Sequence, residues 1–471
     1  MSILQIILTV LEALFALNLL IFVHELGHFL AARWRGMKVD RFAIWFGQPI
    51  WKKKINGVEY ALGWIPAGGY VALPQMATME AIEGKSDTPV EQLPNASPLD
   101  KIIVAFAGPL FSFLLAILFA VVVWQVGKPV TAADDEPVLG FVVPEGPAWN
   151  AGLRSGDKVL EIDDHPVKHY GPPSQDSIVW RVITSEGTNM AIKYLRNGVT
   201  NTAYAKAFKR TNKWYERKAL RQILVNIATE TVVADVLTNS PADRAGLKHG
   251  DKIVAVNNEK IYSIAAVEYE EDLMTNKNAT PITLTVRRGA EEFERSLLAE
   301  KPTSPTNAPP IFGIVWQEST NRTLAYLGPW EQIEASARQI FATVSAVISK
   351  RTDIGAQQLG GAVMIIRVYS NLFQDEDGWR LVLWFSVVLN VNLAMLNMLP
   401  LPVLDGGHIL LSLIEVVRRK AVSPRLLNYV QSGFAVVLIT FMLWIAFYDI
   451  GDWIRSGRRT RDQQIIFAPK K

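Results

Sequence analysis

Four runs of this sequence, roughly residues 3–32, 101–126, 379–400 and 427–448, are apolar over lengths that leave the chain little choice of fold. A bilayer core about 30 Å thick is crossed by about 20 helical residues. Inside it no water satisfies backbone N–H and C=O groups, so a spanning segment is a helix or part of a closed barrel. Runs this long and unbroken read as transmembrane helices. The first is not a cleavable signal peptide: it is too long, no basic stretch precedes it, and no small-residue cleavage site closes it. Yet 20% of the 471 residues are charged, against 49% hydrophobic, so spans cannot be the whole protein. The net charge of +3 is too small for bulk attraction to nucleic acid, and no nucleic-acid partner is expected. The absence of cysteine excludes disulfides and thiolate metal sites and selects no compartment.

Lys and Arg beside the spans set their orientation. Arg33, Arg35, Lys38 and Arg41, then Lys52, Lys53 and Lys54, follow the first span. Arg418, Arg419, Lys420 and Arg425 join the third to the fourth. Both stretches are expected in the cytoplasm. Lys128, Asp134, Asp135 and Glu136 follow the second span, as expected outside. The N-terminus and residues 128–378 then lie outside. The tail, with Arg455, Arg458, Arg459, Arg461, Lys470 and Lys471, disagrees, but early charges weigh more than late ones.

Residues 138–167, "VLGFVVPEGPAWNAGLRSGDKVLEIDDHPV", recur at a constant offset as 232–261, "VVADVLTNSPADRAGLKHGDKIVAVNNEKI". Pro147 meets Pro241, Gly152-Leu153 meets Gly246-Leu247, and Gly156-Asp157-Lys158 meets Gly250-Asp251-Lys252. Strand, turn, short helix, turn and strand follow one another, with glycine supplying the turns. Two copies make a duplicated β-rich region rather than a solenoid. The pattern resembles tandem PDZ domains of the bacterial, circularly permuted type, here 128–226 and 227–315. PDZ domains bind a peptide end as an added strand. Leu139-Gly140-Phe141 is the expected carboxylate-binding loop of the first copy. Asp235, in the matching Val233-Ala234-Asp235, would repel a carboxylate in the second. The alternative is that neither copy binds peptide and both form a steric cover.

Residues 35–100 open with apolar alternation around Asn56-Gly57, a hairpin signal, and run into Ile65-Pro66-Ala67-Gly68-Gly69-Tyr70. So many Phe, Trp and Ile fit a β-structure dipping into the membrane, where irregular backbone must be buried or line a cavity. A hairpin lying on the lipid surface is the alternative. Residues 316–378 read as amphipathic helices along the outer face, broken at Gly360-Gly361.

Ionisable groups inside a span are costly and usually functional. The first span carries "FVHELGHF", residues 22–29. His24 and His28 are one helical turn apart on one face, as two ligands of a tetrahedral zinc would be, with Glu25 placed to hold a water. A catalytic zinc usually takes a third protein ligand. Asn397, Pro400, Pro402 and Gly406-Gly407 break the helix at the end of the third span and let Asp405 turn inward. Asp405 is the preferred ligand and His408 its competitor.

HELGH together with "NMLPLPVLDG", residues 397–406, resembles the site-2 family of intramembrane metalloproteases. Phe46-Gly47, Gly68-Gly69-Tyr70-Val71, Ala107-Gly108-Pro109 and Gly360-Gly361 extend the resemblance over nearly the whole chain. Ser112 departs from the Asn, and Ala362 from the Pro, that the family tends to have there. The resemblance implies one zinc per chain, held by His24, His28 and Asp405, with Glu25 as general base. It implies single-span membrane proteins as substrates, typically an anti-sigma factor already trimmed by a first protease, and remnant signal peptides. The PDZ pair would act as a size filter, in the bacterial inner membrane, with the repeats periplasmic and the active site towards the cytoplasm. A transmembrane substrate must unwind, so an edge ending in Gly68, Gly69 and Tyr70 could pair with it, and Asn397 could bind it beside the metal. Asn390 and Asn392 are expected to bond between helices.

The expected fold is a polytopic α-helical membrane protein with four transmembrane helices, a membrane-associated β-hairpin region and two periplasmic PDZ domains. Its parts are 1–34, 35–100, 101–127, 128–226, 227–315, 316–378, 379–426, 427–450 and a tail, 451–471. A non-catalytic membrane scaffold presenting PDZ domains, or a zinc transporter or sensor, are the competing functions. The scaffold would tolerate decay of HELGH and Asp405, and the transporter would not need Glu25.

Overall fold

The computed structural model describes residues 3–76, 96–131, 136–171, 174–276, 280–305, 308–317, 322–349, 351–420, 424–459 and 465–468. Asp134, Asp135, Arg461, Lys470 and Lys471, used above for orientation, lie outside these residues. The chain forms two compact units. The first comprises Met1–Pro129, Leu324–Phe341 and Leu359–Gly451, and the second Val130–Thr323, Ala342–Gln358 and Asp452–Lys471.

In the first unit, helix α1 (Ile3–Trp34) packs on α2 (Pro98–Val126). A capping box starts α2: the Ser97 hydroxyl accepts from the Asp100 N–H, Asp100 returns to Ser97, and Pro98 follows where no N–H is needed. Further along come α3 (Pro329–Ile348), α4 (Ala362–Phe373), α5 (Gly378–Asn397), α6 (Asp405–Arg418) and α7 (Pro424–Arg459), the last residues of α3 and α7 belonging to the second unit. Four helices are long and apolar enough to cross a membrane: Ile7–Trp34, Pro98–Val126, Gly378–Asn397 and Tyr429–Arg455. Small residues of α2, Ala116 and Ala120, let Val387 and Val391 of α5 and Ile333 of α3 approach closely. Asn390 is buried, but among the described residues its amide donates to Ser386 of its own helix and not to a neighbouring one.

Between α1 and α2 lie β1 (Arg41–Ile55) and β2 (Val58–Ala72), joined by Asn56 and Gly57 at φ 49° and 82°, as a tight hairpin turn requires. They form more than a simple hairpin. Residues 41–44 pair with 69–72 on one side and with 59–62 on the other, and 59–62 pair in turn with 51–54. The two strands double over near Phe46–Pro49 and Gly63–Ile65 into a curled sheet. Its near end is at the α1 exit, where Val58 packs with Ala31, Ala32 and Val39. Its far end is tied to Asn18, whose Oδ1 accepts from Trp45 Nε1 at 2.6 Å. Asn18 lies about 24 Å along the helix axis from Trp34. Ile50, Trp51 and Trp64, exposed by 64%, 53% and 61%, gather at the fold.

The second unit contains the repeat as two copies of one topology. Its first copy is β3 (Leu139–Val142), β4 (Lys158–Ile162), β5 (His165–Pro166), β6 (Asn189–Arg196), β7 (Val199–Lys206) and β8 (Val225–Ile227). The second is β9 (Val233–Val236), β10 (Lys252–Val256), β11 (Glu259–Lys260), β12 (Ile282–Arg288), β13 (Glu291–Leu297) and β14 (Ile314–Trp316). The sheets run β5-β4-β6-β7 and β11-β10-β12-β13, and β3 pairs with β8 as β9 pairs with β14. The repeated "GD" has the same job in both. Asp157 takes a bidentate bond from Arg196 at 2.6 Å, and Asp251 one from Arg288 at 2.7 and 2.8 Å. Each copy has its own apolar core, one around Leu139, Ile162 and Ile192 and the other around Ile253, Leu284 and Phe312.

Three expectations need correction. Leu139, Gly140 and Phe141 form no loop. They are strand β3, bonded to β8, with Leu139 fully buried and a Cβ on Gly140 barred by the Ile227 carbonyl oxygen at 2.1 Å. The copies end slightly later than expected, because β8 closes the first and β14 the second. The tail does not begin at 451: α7 continues to Arg459, carried past its apolar stretch by polar pairs such as Arg455 with Asp452. Beyond it, Ile466 pairs with the second copy, its N–H donating to Ser304 and its carbonyl accepting from Thr303. Phe467 is buried there.

Candidate metal centre

Helix α1 crosses α2 at closest approach through the motif itself. A Cβ on Gly27 would lie 2.4 Å from the Ala107 carbonyl oxygen, and one on Gly108 would lie 2.2 Å from His28 Nε2. Only glycine fits at either position. Four residues along α2 from Gly108, Ser112 faces His24, four residues back along α1. The buried Ser112 hydroxyl is 3.0 Å from His24 Nδ1. His28 Nδ1 is 2.8 Å from the Val104 carbonyl oxygen, which can only accept. His28 therefore carries its hydrogen on Nδ1 and leaves Nε2 bare, the arrangement of a metal-ligating histidine.

The third group arrives from the broken helix. Helix α5 stops at Asn397, the chain turns through Pro400 and Pro402, and α6 restarts at Asp405. Gly406 and Gly407 pack against this turn, where a Cβ would lie 2.3 Å from the Met398 oxygen or 2.0 Å from the Leu401 oxygen. Gln431 of α7 donates to Pro402 at 3.4 Å, and Lys101 of α2 pairs with Glu415 of α6 at 2.9 Å. Asp405 is thereby held against both histidines, with Oδ2 3.2 Å from His24 Nε2 and Oδ1 3.3 Å from His28 Nε2. The two Nε2 atoms are 3.3 Å apart.

The two nitrogens and the carboxylate, which turns a different oxygen to each of them, form a ligand triangle whose spacing fits zinc. Tetrahedral zinc with bonds of about 2.0–2.1 Å spaces its ligand atoms about 3.3–3.4 Å apart. Asp405 Oδ2 is buried with no hydrogen-bond partner among the described residues. Bare lone pairs converging at such distances repel unless a cation lies between them. Among the described residues, these three form the one cluster of metal-binding side chains. His408 lines the same cavity without joining them.

The cavity is about 280 Å³ and gathers most of the expected site. Glu25, Gly68, Gly69, Tyr70 and Asn397 line it beside His24, His28 and Asp405. Among the described residues, 65–72 have a paired neighbour, 41–46, on one side only. Gly69 sits directly under α1, where a Cβ would lie 3.3 Å from Glu25 Cγ and 3.5 Å from Ile21. Gly68, at φ +77°, makes room for the Phe46 ring, which stacks on Tyr70 with centroids 6.0 Å apart. Leu139, Gly140 and Phe141 belong to the other unit. The roles of Val104, Ser112 and Phe46 escape sequence reasoning. Two act through a backbone carbonyl or a through-space contact, and Ser112 shows only as a departure from a family pattern.

A sequence model of peptidase family M50 matches residues 12–441. The chain belongs to that family. Membership makes it a metalloprotease with zinc as cofactor, in agreement with the ligand triangle. It is 28% identical over 455 residues to the regulator of sigma E protease of Haemophilus influenzae, covering 92% of this chain and 96% of that protein. It is 26% identical over 456 residues to protease RseP of Yersinia pestis, with the same coverage. A Neisseria meningitidis protein assigned as a zinc metalloprotease is 27% identical over 463 residues, 94% of this chain and 98% of that one.

Proposed function

We propose that the protein is an intramembrane endopeptidase that cuts single-span membrane proteins within their spans. The observation that carries this reading is that a zinc triangle, a spare carboxylate and a strand with one edge unpaired among the described residues share one cavity. Zinc, when bound, supplies Lewis acidity that polarises a peptide carbonyl and makes a water molecule easier to deprotonate. Glu25, next to His24 but not part of the triangle, takes the proton of the attacking water and delivers it to the departing amine. A helical substrate hides its scissile bond in its own hydrogen bonds. Unwound, it lies along residues 65–72 as an added strand, which satisfies the freed backbone. Asn397, at the end of α5, offers both a donor and an acceptor to the same stretch.

The curled sheet is then re-entrant, its apolar fold sunk in lipid to the depth of Asn18 and its lysines returning to the basic exit of α1. His28 is about 9 Å from that exit, so the site faces the cytoplasm. The repeats are read as PDZ domains on the outer side of a bacterial inner membrane. The tail lies on that side too, because Ile466 bonds to Ser304, and this outweighs its basic charge. Trimmed anti-sigma-factor-like proteins and remnant signal peptides are the substrates, and the PDZ pair is the size filter.

The test uses purified Glu25→Gln with a single-span substrate and a zinc assay. Cleavage is lost and zinc is retained. Undiminished cleavage would overturn the mechanism, whereas a transporter or sensor would keep its function in this variant.

A further inference from the structure

Trp45 is a bulky residue at φ +68°, a backbone conformation that L side chains rarely adopt. Asn18 is an amide in the middle of an apolar span. Each feature is costly alone, and each is explained by the other. Trp45 Nε1 donates to Asn18 Oδ1 at 2.6 Å, while Asn18 Nδ2 donates back to Leu14 of its own helix at 2.7 Å. Both side chains are half-buried between α1 and the sheet.

Asn18, Ile21 and Glu25 are spaced three and four apart, so they form one stripe on α1. The stripe faces the sheet along its length. Glu25 and Ile21 meet Gly69 through van der Waals contact, which has no directional preference. Asn18 meets Trp45 through a hydrogen bond, which does. Next along the strand, Phe46 lines the cavity and stacks on Tyr70. A shift of Trp45 would therefore move the cavity wall and the edge of residues 65–72.

We propose that the Asn18–Trp45 hydrogen bond is a positioning anchor that sets the substrate-pairing edge against Glu25. The proposal rests on the protease reading above. Neither residue lines the cavity or belongs to the ligand triangle. Their influence reaches the reaction through Phe46 and Gly69.

The experiment compares the full chain with Asn18→Leu, Trp45→Phe, Trp45→Gly and the Asn18→Leu/Trp45→Phe double variant. Each is assayed for cleavage of a single-span substrate and for zinc content. KM is expected to rise about tenfold with kcat nearly unchanged and zinc retained, the pattern of lost substrate binding. The double variant is expected to be no worse than either single variant, because both remove one bond. Trp45→Gly relieves the backbone but removes the anchor, so it should behave like Asn18→Leu. Wild-type kinetics in Trp45→Gly or Asn18→Leu, or additive losses in the double variant, would overturn the proposal. A second readout needs no catalysis. The chain has no cysteine, so spin labels on cysteines placed at Leu19 and Ile65 are its only thiol labels. Their distance distribution should broaden in Asn18→Leu, and an unchanged distribution overturns the anchor. If the Glu25→Gln control cleaves as well as the parent, the protease reading fails, and the label distances still decide the anchor.

Discussion

Three side chains of the centre can be read from the sequence because ionisable groups inside an apolar span must be explained: His24, Glu25 and His28 violate the hydropathy of their segment. Asp405 lies beyond the third span and is legible from the helix break that precedes it. Ser112 stands out in neither way, because a serine in a span is ordinary. Its importance arises only when α2 crosses α1 and its hydroxyl meets His24 Nδ1 at 3.0 Å. Partners at one remove from a metal typically change its affinity by about 10–100-fold. Ser112→Ala should weaken zinc binding within that range in a chelator competition, with Ser112→Thr restoring most of it. Unchanged affinity in Ser112→Ala would mean that the hydroxyl only fills space.

At the scale of elements, turns and breaks were legible, while pairings were not. Asn56-Gly57 announces a tight turn, and the prolines and glycines of 397–408 announce a broken helix. That the two strands double over, with 41–44 flanked on both sides, depends on contacts no local pattern encodes. The misplaced peptide loop has a similar origin. A glycine between apolar residues suits a loop and an interior strand position alike, and only pairing with β8 decides between them. Gly407→Ala would drive a methyl into the Leu401 oxygen, 2.0 Å away, and displace the start of α6. Zinc affinity should fall by at least ~10-fold although no ligand is altered, measurable by the same competition. The second repeat carries its own titration. Glu271, on the helix Ala265–Asn276, accepts from the Phe312 N–H at 2.6 Å, and burial pushes its carboxyl up to about 7. With the folded value above the unfolded one, the fold is favoured at low pH, and that advantage is lost as pH rises from about 4.5 through 7. The change is on the order of 3 kcal/mol. Amide exchange across 265–276, corrected for intrinsic rates, should show more opening near pH 8 than near pH 5. Glu271→Gln should remove the difference.

For the molecule as a whole, the spans and the duplication were visible because hydropathy and self-similarity are properties of long stretches. The end of the chain was not, since docking of Ile466 and Phe467 depends on a surface built by residues near 303. If the repeats act as a filter, a substrate retaining its folded outer domain should be refused and its trimmed form cut, and equal cleavage of both would exclude that role. The ligand triangle also has a history during synthesis. His24 and His28 are made early, and Asp405 follows about 380 residues later. At about 5–20 residues per second, roughly 20–80 s pass before a third ligand exists. Throughout that interval the growing chain carries two of the three groups that could hold the metal. The site is therefore completed late in synthesis, once Asp405 has been made.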